Sequence, residues 1–480
     1  MKRIIIILLL GIGGLFSGCD SWLDVQPYDS MTDEQLYSTE VGIQRALNGI
    51  YLGLVSNELY AKNLSCGAVD VLGGLYYIPE NHTFRDLSQF KYSEAVPKAT
   101  LESIWKSAYK LISGCNEFLE SVSAHRNLLK ADEYPVFMGE ALAVRTFLHF
   151  DLFRLFGNVY TEETKTSPAI PYYDKVTDIA AEILSAEVLM KYLLADVDSA
   201  IVCLRHDPIL TDGTGTGEGF WDYRSYRLNY YAAWALKARM LYYMGTAYEA
   251  EAGRIARALL DSKDPLTGEA DNFMEVFPGI DYETGRNDRL FYPEMLFGMH
   301  NMKRETLYKE AFSLDLENNN LLSASIKYLE NLFTDDSDVR RSCWEDVSAE
   351  RGDIKSFVKF YPTQAYSENP YLYETQVLLR KSELYLIASA TATDPEEKAW
   401  YLEELRLLRG YQVGNMVGLD PNELLDLEWK KEFYGEGQYF FFLKRNQVQT
   451  ITDHEGYAKQ MSAGYAVPLP ESETNNRYDK

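Results

Sequence analysis

The sequence predicts a mainly α-helical protein, built from helix pairs that stack like tetratricopeptide repeats and carry long irregular insertions. Two observations support this. Apolar residues recur at spacings of three and four along much of the chain, which is the period of amphipathic helices. The two clearest helix pairs, near 226–260 and 373–408, each occupy roughly 34 residues, the length of one tetratricopeptide unit. Because one unit cannot bury its apolar face alone, successive units are expected to stack into a curved scaffold.

The N-terminus resembles an export signal. Lys2 and Arg3 precede an unbroken apolar run over 4–10, and apolar and small residues continue to Phe16. A short basic start followed by an apolar stretch is typical of secretory signals. The stretch is about 13 residues long, which is less than the roughly 20 residues that a membrane-spanning helix needs.

A lipid anchor is expected directly after this signal. The small pair Ser17-Gly18 stands before Cys19, which resembles a bacterial lipobox. We expect residues 1–18 to be removed, Cys19 to be acylated with fatty acids such as palmitate, and residues 19–32 to form a lipidated tether. The alternative is an ordinary signal peptide followed by a coincidental cysteine.

Residues 33–480 are predicted to form a single helical domain. Helices are expected over 41–54, 101–122, 134–156, 186–204, 226–244, 247–260, 373–392 and 396–408. Three of them carry an arginine inside an apolar segment, namely Arg145, Arg239 and Arg380. We interpret these arginines as partners of core carboxylates or helix carbonyls. The alternative interpretation is that they contact a ligand.

Four irregular stretches interrupt the helices, near 61–99, 205–225, 261–300 and 331–372. Glycine and proline break the periodicity there, and long irregular segments in a compact chain are often functional. Aromatic residues in these stretches have no helical stripe to join, and their flat faces suit sugar rings or peptides. The residues predicted to contact a ligand are Tyr76, Tyr77, Phe84, Arg85, Tyr282, Tyr292, Trp344 and Tyr361.

Charge and motifs exclude several functions. The formal net charge of −25 gives an acidic surface that repels phosphate backbones, so nucleic acid is not expected as a partner. The six histidines and the cysteines show no metal-ligand spacing, and no catalytic motif occurs, so we expect no metal, no cofactor and no enzyme activity. The sequence does not define a disulfide pairing for Cys66, Cys115, Cys203 and Cys343, which we expect to be mostly buried thiols.

Several strings in order resemble one family over nearly the whole chain. They are CDSWLDVQP at 19–27, TEVGIQRALNGIYLGL at 39–54, WKSAYKLISGCNEFLE at 105–120, GEALAVRTFLHFDLFRLFGNV at 139–159, AAWALKARMLYYMGTAYEA at 232–250, LLRKSELYLIASATA at 378–392 and VPLPESETN at 467–475. Together they resemble the SusD/RagB family, surface lipoproteins of the Bacteroidetes.

The resemblance implies a tetratricopeptide-like helical scaffold without catalytic activity. It also implies a partner, a SusC-like TonB-dependent transporter barrel of the outer membrane, over which the lipoprotein sits as a lid. No ligand residue carries over from the family, so the ligand prediction depends on the loop aromatics. The expected function is capture of an oligosaccharide at the cell surface for the transporter. The alternatives are peptide capture of the RagB kind and a glycoside hydrolase with an unrecognised carboxylate pair.

Overall fold

Helices form most of the scaffold in this computed structural model, which describes residues 33–215, 217, 219–280, 288–347, 349–361 and 370–478. The helices are α1 (Asp33–Leu36), α2 (Glu40–Leu54), α3 (Ala68–Leu72), α4 (Arg85–Ser88), α5 (Ala95–Ala124), α6 (Glu133–Phe156), α7 (Ala186–Cys203), α8 (Ile209–Asp212), α9 (Tyr230–Tyr243), α10 (Thr246–Leu260), α11 (Phe273–Val276), α12 (Arg304–Ala311), α13 (Ile326–Leu332), α14 (Pro370–Tyr373), α15 (Lys381–Thr391), α16 (Pro395–Leu407), α17 (Pro421–Glu432), α18 (Tyr439–Arg445) and α19 (Glu471–Tyr478). Within these ranges, no helix combines the length and apolarity that a membrane crossing requires.

Short strands join segments that lie far apart in the chain. They are β1 (Pro168–Pro171), β2 (Ile183–Ser185), β3 (Met295–His300), β4 (Ser323–Ser325), β5 (Trp344–Asp346), β6 (Ile354–Phe357), β7 (Thr375–Arg380), β8 (Thr450–Thr452) and β9 (Ala458–Gln460). β1 pairs with β2, β3 with β7, β6 with both β4 and β5, and β8 with β9, all antiparallel.

The longer helices pack one on the next. α5 packs on α6, α6 on α7, α7 on α9 and α9 on α10. The order continues as α10 packs on α15, and α15 packs on α16 and α17. This arrangement is the mainly helical, tetratricopeptide-like fold that the sequence predicts.

Two helix starts follow from capping side chains. The Asn229 side-chain oxygen accepts the N–H of Ala232 at 2.9 Å, so α9 begins at Tyr230, later than predicted. α16 begins at Pro395, one residue before the predicted helix over 396–408, with Asp394 as N-cap and the proline in the first turn. Proline suits that place because the first N–H groups of a helix have no intrahelical acceptor.

α5 is longer than the predicted helix over 101–122. It begins at Ala95 and includes Pro97, one of the prolines expected to break helical periodicity in the irregular stretch 61–99. That interpretation is wrong, because Pro97 lies in the first turn of the helix. Its missing N–H breaks no hydrogen bond there.

The predicted helix over 373–392 divides into a strand and a helix. Residues Thr375–Arg380 form β7, which pairs with β3, and only Lys381–Thr391 are helical. The segment TQVLLR is buried throughout, and its short apolar run Val377–Leu379 does not distinguish a buried strand from a buried helix. The deciding interaction is with β3, which local periodicity does not reveal.

The core arginines pair with carboxylates, which confirms the preferred interpretation. Nη2 of Arg145 donates to Asp196 at 2.8 Å, and Nε of Arg239 donates to Glu383 at 2.7 Å. Arg380 belongs to a larger buried cluster. None of these three side chains is exposed for ligand contact.

We call this larger cluster the arginine–glutamate network. Its members are Arg340, Arg380, Arg409, Glu294, Glu428, Glu432 and Glu436, and all are buried. They come from the segment 294–380, the turn after α16, and α17 with its following turn, so the network joins segments that lie up to 142 residues apart in the C-terminal part of the chain. Each charge has at least one opposite partner within ion-pair distance.

Glu432 is the centre of the network. Its carboxylate accepts hydrogen bonds from Arg380 at 2.5 Å, Arg409 at 2.5 Å and Arg340 at 2.9 Å. Burial by itself raises the pKa of Glu432, but the charges of Arg409 and Arg380 outweigh it and hold that pKa well below its usual range. The carboxylate is therefore ionised and fully committed to the scaffold.

The turn after Glu432 positions α3. Both carboxylate oxygens of Asp70 accept backbone N–H groups, from Gly435 at 2.8 Å and from Gly437 at 3.0 Å. The φ of Gly437 is +72°, and a Cβ there would clash with the carbonyl oxygen of Leu64. Glycine is therefore required at this position, and the turn fixes the segment that leads into the candidate site.

The cysteines beyond Cys19 are free thiols. Cys66, Cys115 and Cys343 are buried, and Cys203 is half-buried, which confirms the expectation that most are buried thiols. Burial raises the pKa of both Cys66 and Cys115 to about 12. These two thiols are protonated and inert at neutral pH.

Candidate functional site

The segment 71–90 and the β8–β9 hairpin enclose a cleft of about 370 Å³, which we call the hairpin cleft. Three residues predicted from sequence line it together. The aromatic and polar side chains of the lining include Tyr76, Tyr77, Arg85, Gln89, Phe90, Asp453, Lys459 and Gln460. The lining combines aromatic and polar side chains, which is the composition expected of a small-ligand site.

One wall of the hairpin cleft is held by backbone contacts. The Tyr77 N–H donates to the Ser323 carbonyl oxygen at 2.8 Å, which pins this segment to β4. Arg85 Nη1 donates to the Ile78 carbonyl oxygen at 2.9 Å and so orients the guanidinium. The ring of Tyr77 and the head of Arg85 are therefore placed by an ordered backbone, although the segment lacks long helices.

The other wall is the hairpin itself. Asp453 Oδ1 accepts the N–H groups of Glu455 at 3.0 Å and Tyr457 at 2.8 Å, which closes the turn. Ser325 Oγ donates to the His454 carbonyl oxygen at 2.7 Å, which fixes the turn to the start of α13. The hairpin is thus a rigid wall anchored to the scaffold.

The two walls approach closely at Gly74. Its φ is +71°, and a methyl group there would lie 2.6 Å from Cδ1 of Ile451 on β8. Only glycine fits both the conformation and the space. This close approach sets the floor of the cleft.

Several polar side chains of the hairpin cleft are not committed to the scaffold. Among the described residues, no partner hydrogen-bonds the Tyr77 hydroxyl, the Gln89 amide, the Gln460 amide or the Lys459 ammonium. Arg85 donates one of its five N–H groups to a backbone carbonyl oxygen, which leaves the others available. Donors and acceptors that the scaffold does not use are available to a ligand.

The remaining predicted ligand residues lie elsewhere. Tyr76 reaches the cleft floor but is only 3% exposed, with its ring against Phe312 and Tyr434. Trp344 is buried against Phe357 and Tyr434, with ring centroids 4.9 and 4.8 Å away. Both rings therefore belong to the core, and we remove them from the proposed ligand contacts.

The other predicted residues do not line the hairpin cleft or lie outside the described chain. Phe84 is half-buried beside His82, near the hairpin cleft but outside its lining. Tyr361 is 43% exposed and packs on the edge of another tyrosine, away from the cleft. Tyr282 and Cys19 lie outside the described residues.

A second cleft of about 570 Å³, the tyrosine cleft, opens beside α2. Its aromatic lining residues are Tyr51, Phe220, Tyr223 and Tyr226, and Tyr292 lies beside Tyr226 at a ring-centroid distance of 6.5 Å. Much of its polar lining is committed to the scaffold. Tyr51 and Arg227 both donate to Glu140, and Asp222 accepts backbone N–H groups of its own loop.

Another cleft, of about 720 Å³, is lined by α13, α17, the end of α18 and the β8–β9 hairpin. Two of its aromatic rings, Tyr242 and Phe442, are buried and stacked on Trp429. They offer a ligand little ring face. The hairpin cleft is therefore the better candidate, because its aromatic and polar groups are both available.

Sequence reasoning missed the contribution of the hairpin. Lys459 and Gln460 lie more than 360 residues from Tyr77 in the chain, and the tail that contains them is polar without a motif. Phe90 lies in the predicted irregular stretch but was not among the predicted contacts. Its φ of +60° is unusual for a non-glycine residue, a feature that the sequence does not show.

Metal chemistry has no support in the part of the chain that the structure describes, where no group of three or more histidine, cysteine, aspartate or glutamate side chains is placed to hold an ion. His454 and His149 are buried, and burial lowers the pKa of each to about 3. Both are neutral core residues at physiological pH.

Comparison with known sequences finds one family. Residues 21–200 match a SusD-like family described as starch-binding and associating with the outer membrane. A SusD-like protein of Formosa agariphila is 26% identical over 205 residues, which cover 42% of this chain and 37% of that protein. A second SusD-like protein of the same organism is 24% identical, over 33% of this chain and 31% of its own length. The matches thus span only about a third of these curated relatives.

Comparison with solved structures extends the likeness of fold to most of the chain. A SusD superfamily protein of Bacteroides thetaiotaomicron superposes with a TM-score of 0.70 at 20% identity, covering 91% of this chain and 98% of that one. Surface glycan-binding protein A of Bacteroides uniformis superposes with a TM-score of 0.66 at 16% identity, covering 91% and 98%. At such identities these structures establish the shared fold.

Proposed function

We propose that the chain is a cell-surface lipoprotein of the SusD/RagB family that binds an oligosaccharide in the hairpin cleft and passes it to a SusC-like TonB-dependent transporter of the outer membrane. The observation that carries the ligand class is the half-buried ring of Tyr77 beside uncommitted polar groups. Sugar rings stack their C–H faces on aromatic rings while their hydroxyls exchange hydrogen bonds with amides and charged groups.

The names of the relatives support this proposal. The matching family is described as starch-binding and outer-membrane associated, and one protein of the same fold is a surface glycan-binding protein. The proposal includes lipid attachment through Cys19, which the N-terminal sequence supports. It also includes a position over a transporter barrel like a lid, which the resemblance to the family supports. Within this proposal the protein binds and releases its ligand without cleaving it.

Peptide capture and glycoside hydrolysis are the two alternative functions. A peptide also fits an aromatic cleft with amide side chains, so a ligand panel must contain both oligosaccharides and peptides. Incubation with oligosaccharides followed by chromatography tests hydrolysis. Shortened products that disappear when a single aspartate or glutamate is replaced would establish an enzyme and refute the binding-only function.

Replacing Tyr77 with alanine is expected to weaken oligosaccharide binding about tenfold or more. The lost stacking surface is worth about 1.4 kcal/mol or more, which corresponds to that factor. Isothermal titration calorimetry measures the change. The backbone anchor of Tyr77 uses its N–H, so the substitution leaves the fold intact.

Two further variants define the result. Tyr192→Ala is the matched control, because this tyrosine is 45% exposed on α7 and lines neither of the two clefts. Tyr223→Ala tests the tyrosine cleft. If Tyr223→Ala abolishes binding and Tyr77→Ala does not, the ligand site belongs in the tyrosine cleft.

A further inference from the structure

The hairpin cleft contains two cationic side chains that no carboxylate neutralises. Arg85 lies on one wall and Lys459 on the other. In the ranges that the structure describes, neither forms an ion pair, although the whole chain carries a net charge of −25. Buried cations elsewhere, such as Arg224 and Arg239, are paired with carboxylates.

The Lys459 ammonium is held at the cleft floor. It lies 4.7 Å from the ring centroid of Phe90, a cation–π contact. A methyl group built on Gly74 would come within 3.7 Å of its Nζ, which places the ammonium close to the narrowest part of the cleft. The side chain is half-buried, so part of its hydration is already lost.

The charges around Lys459 leave its ammonium unsatisfied. Burial lowers the pKa of Lys459 to about 8; the charge of Asp453 opposes this shift, and the charge of Arg85 adds to it. At pH 7 the group is therefore still mainly protonated. An anion between Arg85 and Lys459 would relieve their repulsion.

The two carboxylates of the hairpin do not fill this role. Asp453 directs Oδ1 to the backbone N–H groups of its own turn. Glu455 is exposed and forms no ion pair with Arg85 or Lys459 in the described chain. The cleft is thus locally suited to a negative group despite the acidic surface around it.

We infer that the hairpin cleft recognises an anionic glycan, in which a carboxylate or sulfate group binds between Arg85 and Lys459 while a sugar ring packs on Tyr77. This inference rests on the proposed function of the cleft as a glycan site and specifies the class of glycan. Arg85 supplies planar paired donors, and Lys459 supplies a point charge at the floor. Uronates and sulfated sugars both present an anionic oxygen group, and the experiment distinguishes between these two classes of glycan.

The test compares three probes by isothermal titration calorimetry with the full protein. They are oligogalacturonate, the same oligosaccharide after its carboxyl groups are reduced to alcohols, and a sulfated galactan oligosaccharide. The expected result is at least tenfold tighter binding of one anionic probe than of the neutral probe, with an affinity that falls as salt rises. Whichever anionic probe binds identifies the group as carboxylate or sulfate.

Variants of Arg85 and Lys459 test whether these two cations bind the anionic group. Lys459→Gln and Arg85→Gln are each expected to weaken anionic binding at least tenfold, whereas Lys459→Arg keeps the charge and most of the affinity. Lys191→Gln is the control, because Lys191 is exposed on α7 and lines no part of the cleft. Circular dichroism of each variant confirms an unchanged fold.

Equal affinity for the neutral and anionic probes overturns the inference, as does anionic binding that both glutamine variants retain. If the neutral oligosaccharide binds and Tyr77→Ala removes that binding, the proposed glycan function survives and only the anionic class is wrong. If none of these probes and no other oligosaccharide binds, the inference and the proposed function are both wrong.

Discussion

Replacing Glu432 with glutamine is expected to lower the free energy of unfolding by about 3–5 kcal/mol, the cost of removing one partner from a buried ion pair. The carboxylate accepts hydrogen bonds from Arg340, Arg380 and Arg409, and all four side chains are buried. Glutamine has nearly the same shape as glutamate, but it is neutral. The three buried guanidinium groups would therefore lose the negative charge that they share. Urea unfolding of both proteins at pH 7 measures the change.

This loss is a large share of the total stability, because folded domains are stable by only about 5–15 kcal/mol. The matched control is Glu330→Gln on the exposed surface of α13, where the expected change is within about 0.5 kcal/mol. A Glu432→Gln protein that unfolds within about 1 kcal/mol of wild type would show that the network does not hold the scaffold together.

Replacing Cys19 with alanine is expected to move the protein almost completely from the membrane fraction to a soluble fraction. In our proposal the acyl chains on Cys19 are the anchor, because each buried CH2 of an acyl chain adds about 0.8 kcal/mol of membrane affinity. The released protein keeps its fold and its ligand affinity, because the hairpin cleft lies entirely within residues 71–460. Cell fractionation with immunoblotting measures the distribution.

The control is Cys203→Ala, which removes a half-buried thiol of the scaffold and should leave the membrane fraction unchanged. Growth on the ligand as sole carbon source adds a functional measurement, and the Cys19→Ala strain is expected to grow more slowly. If the Cys19→Ala protein stays in the membrane fraction, the acyl chains are not the main anchor, and attachment to the transporter barrel would account for its location.

The sequence was most informative where structure is local. α6 is buried on nearly every face and ends at Phe156, directly before Gly157, so its existence and its end were both predictable. β7 was not, because its apolar residues pair with β3 from a distant part of the chain. The start of α5 was missed because a proline that breaks a helix interior is harmless in a first turn.

The same contrast applies to the candidate site. Tyr77 and Arg85 were identifiable because they lie in an irregular stretch rich in aromatic residues. Irregular backbone does not imply exposure, however, and Tyr76 and Trp344 turned out to be buried core rings. Lys459 joins the site only through the folding of a distant hairpin, which no local pattern records.

A crystal structure of the protein with a bound oligosaccharide, chosen as the tightest binder of the panel, tests the central claim most directly. Our account predicts a sugar ring stacked on Tyr77 in the hairpin cleft, with polar contacts to Arg85 and Gln460. A ligand bound in the tyrosine cleft, with no sugar in the hairpin cleft, would contradict it.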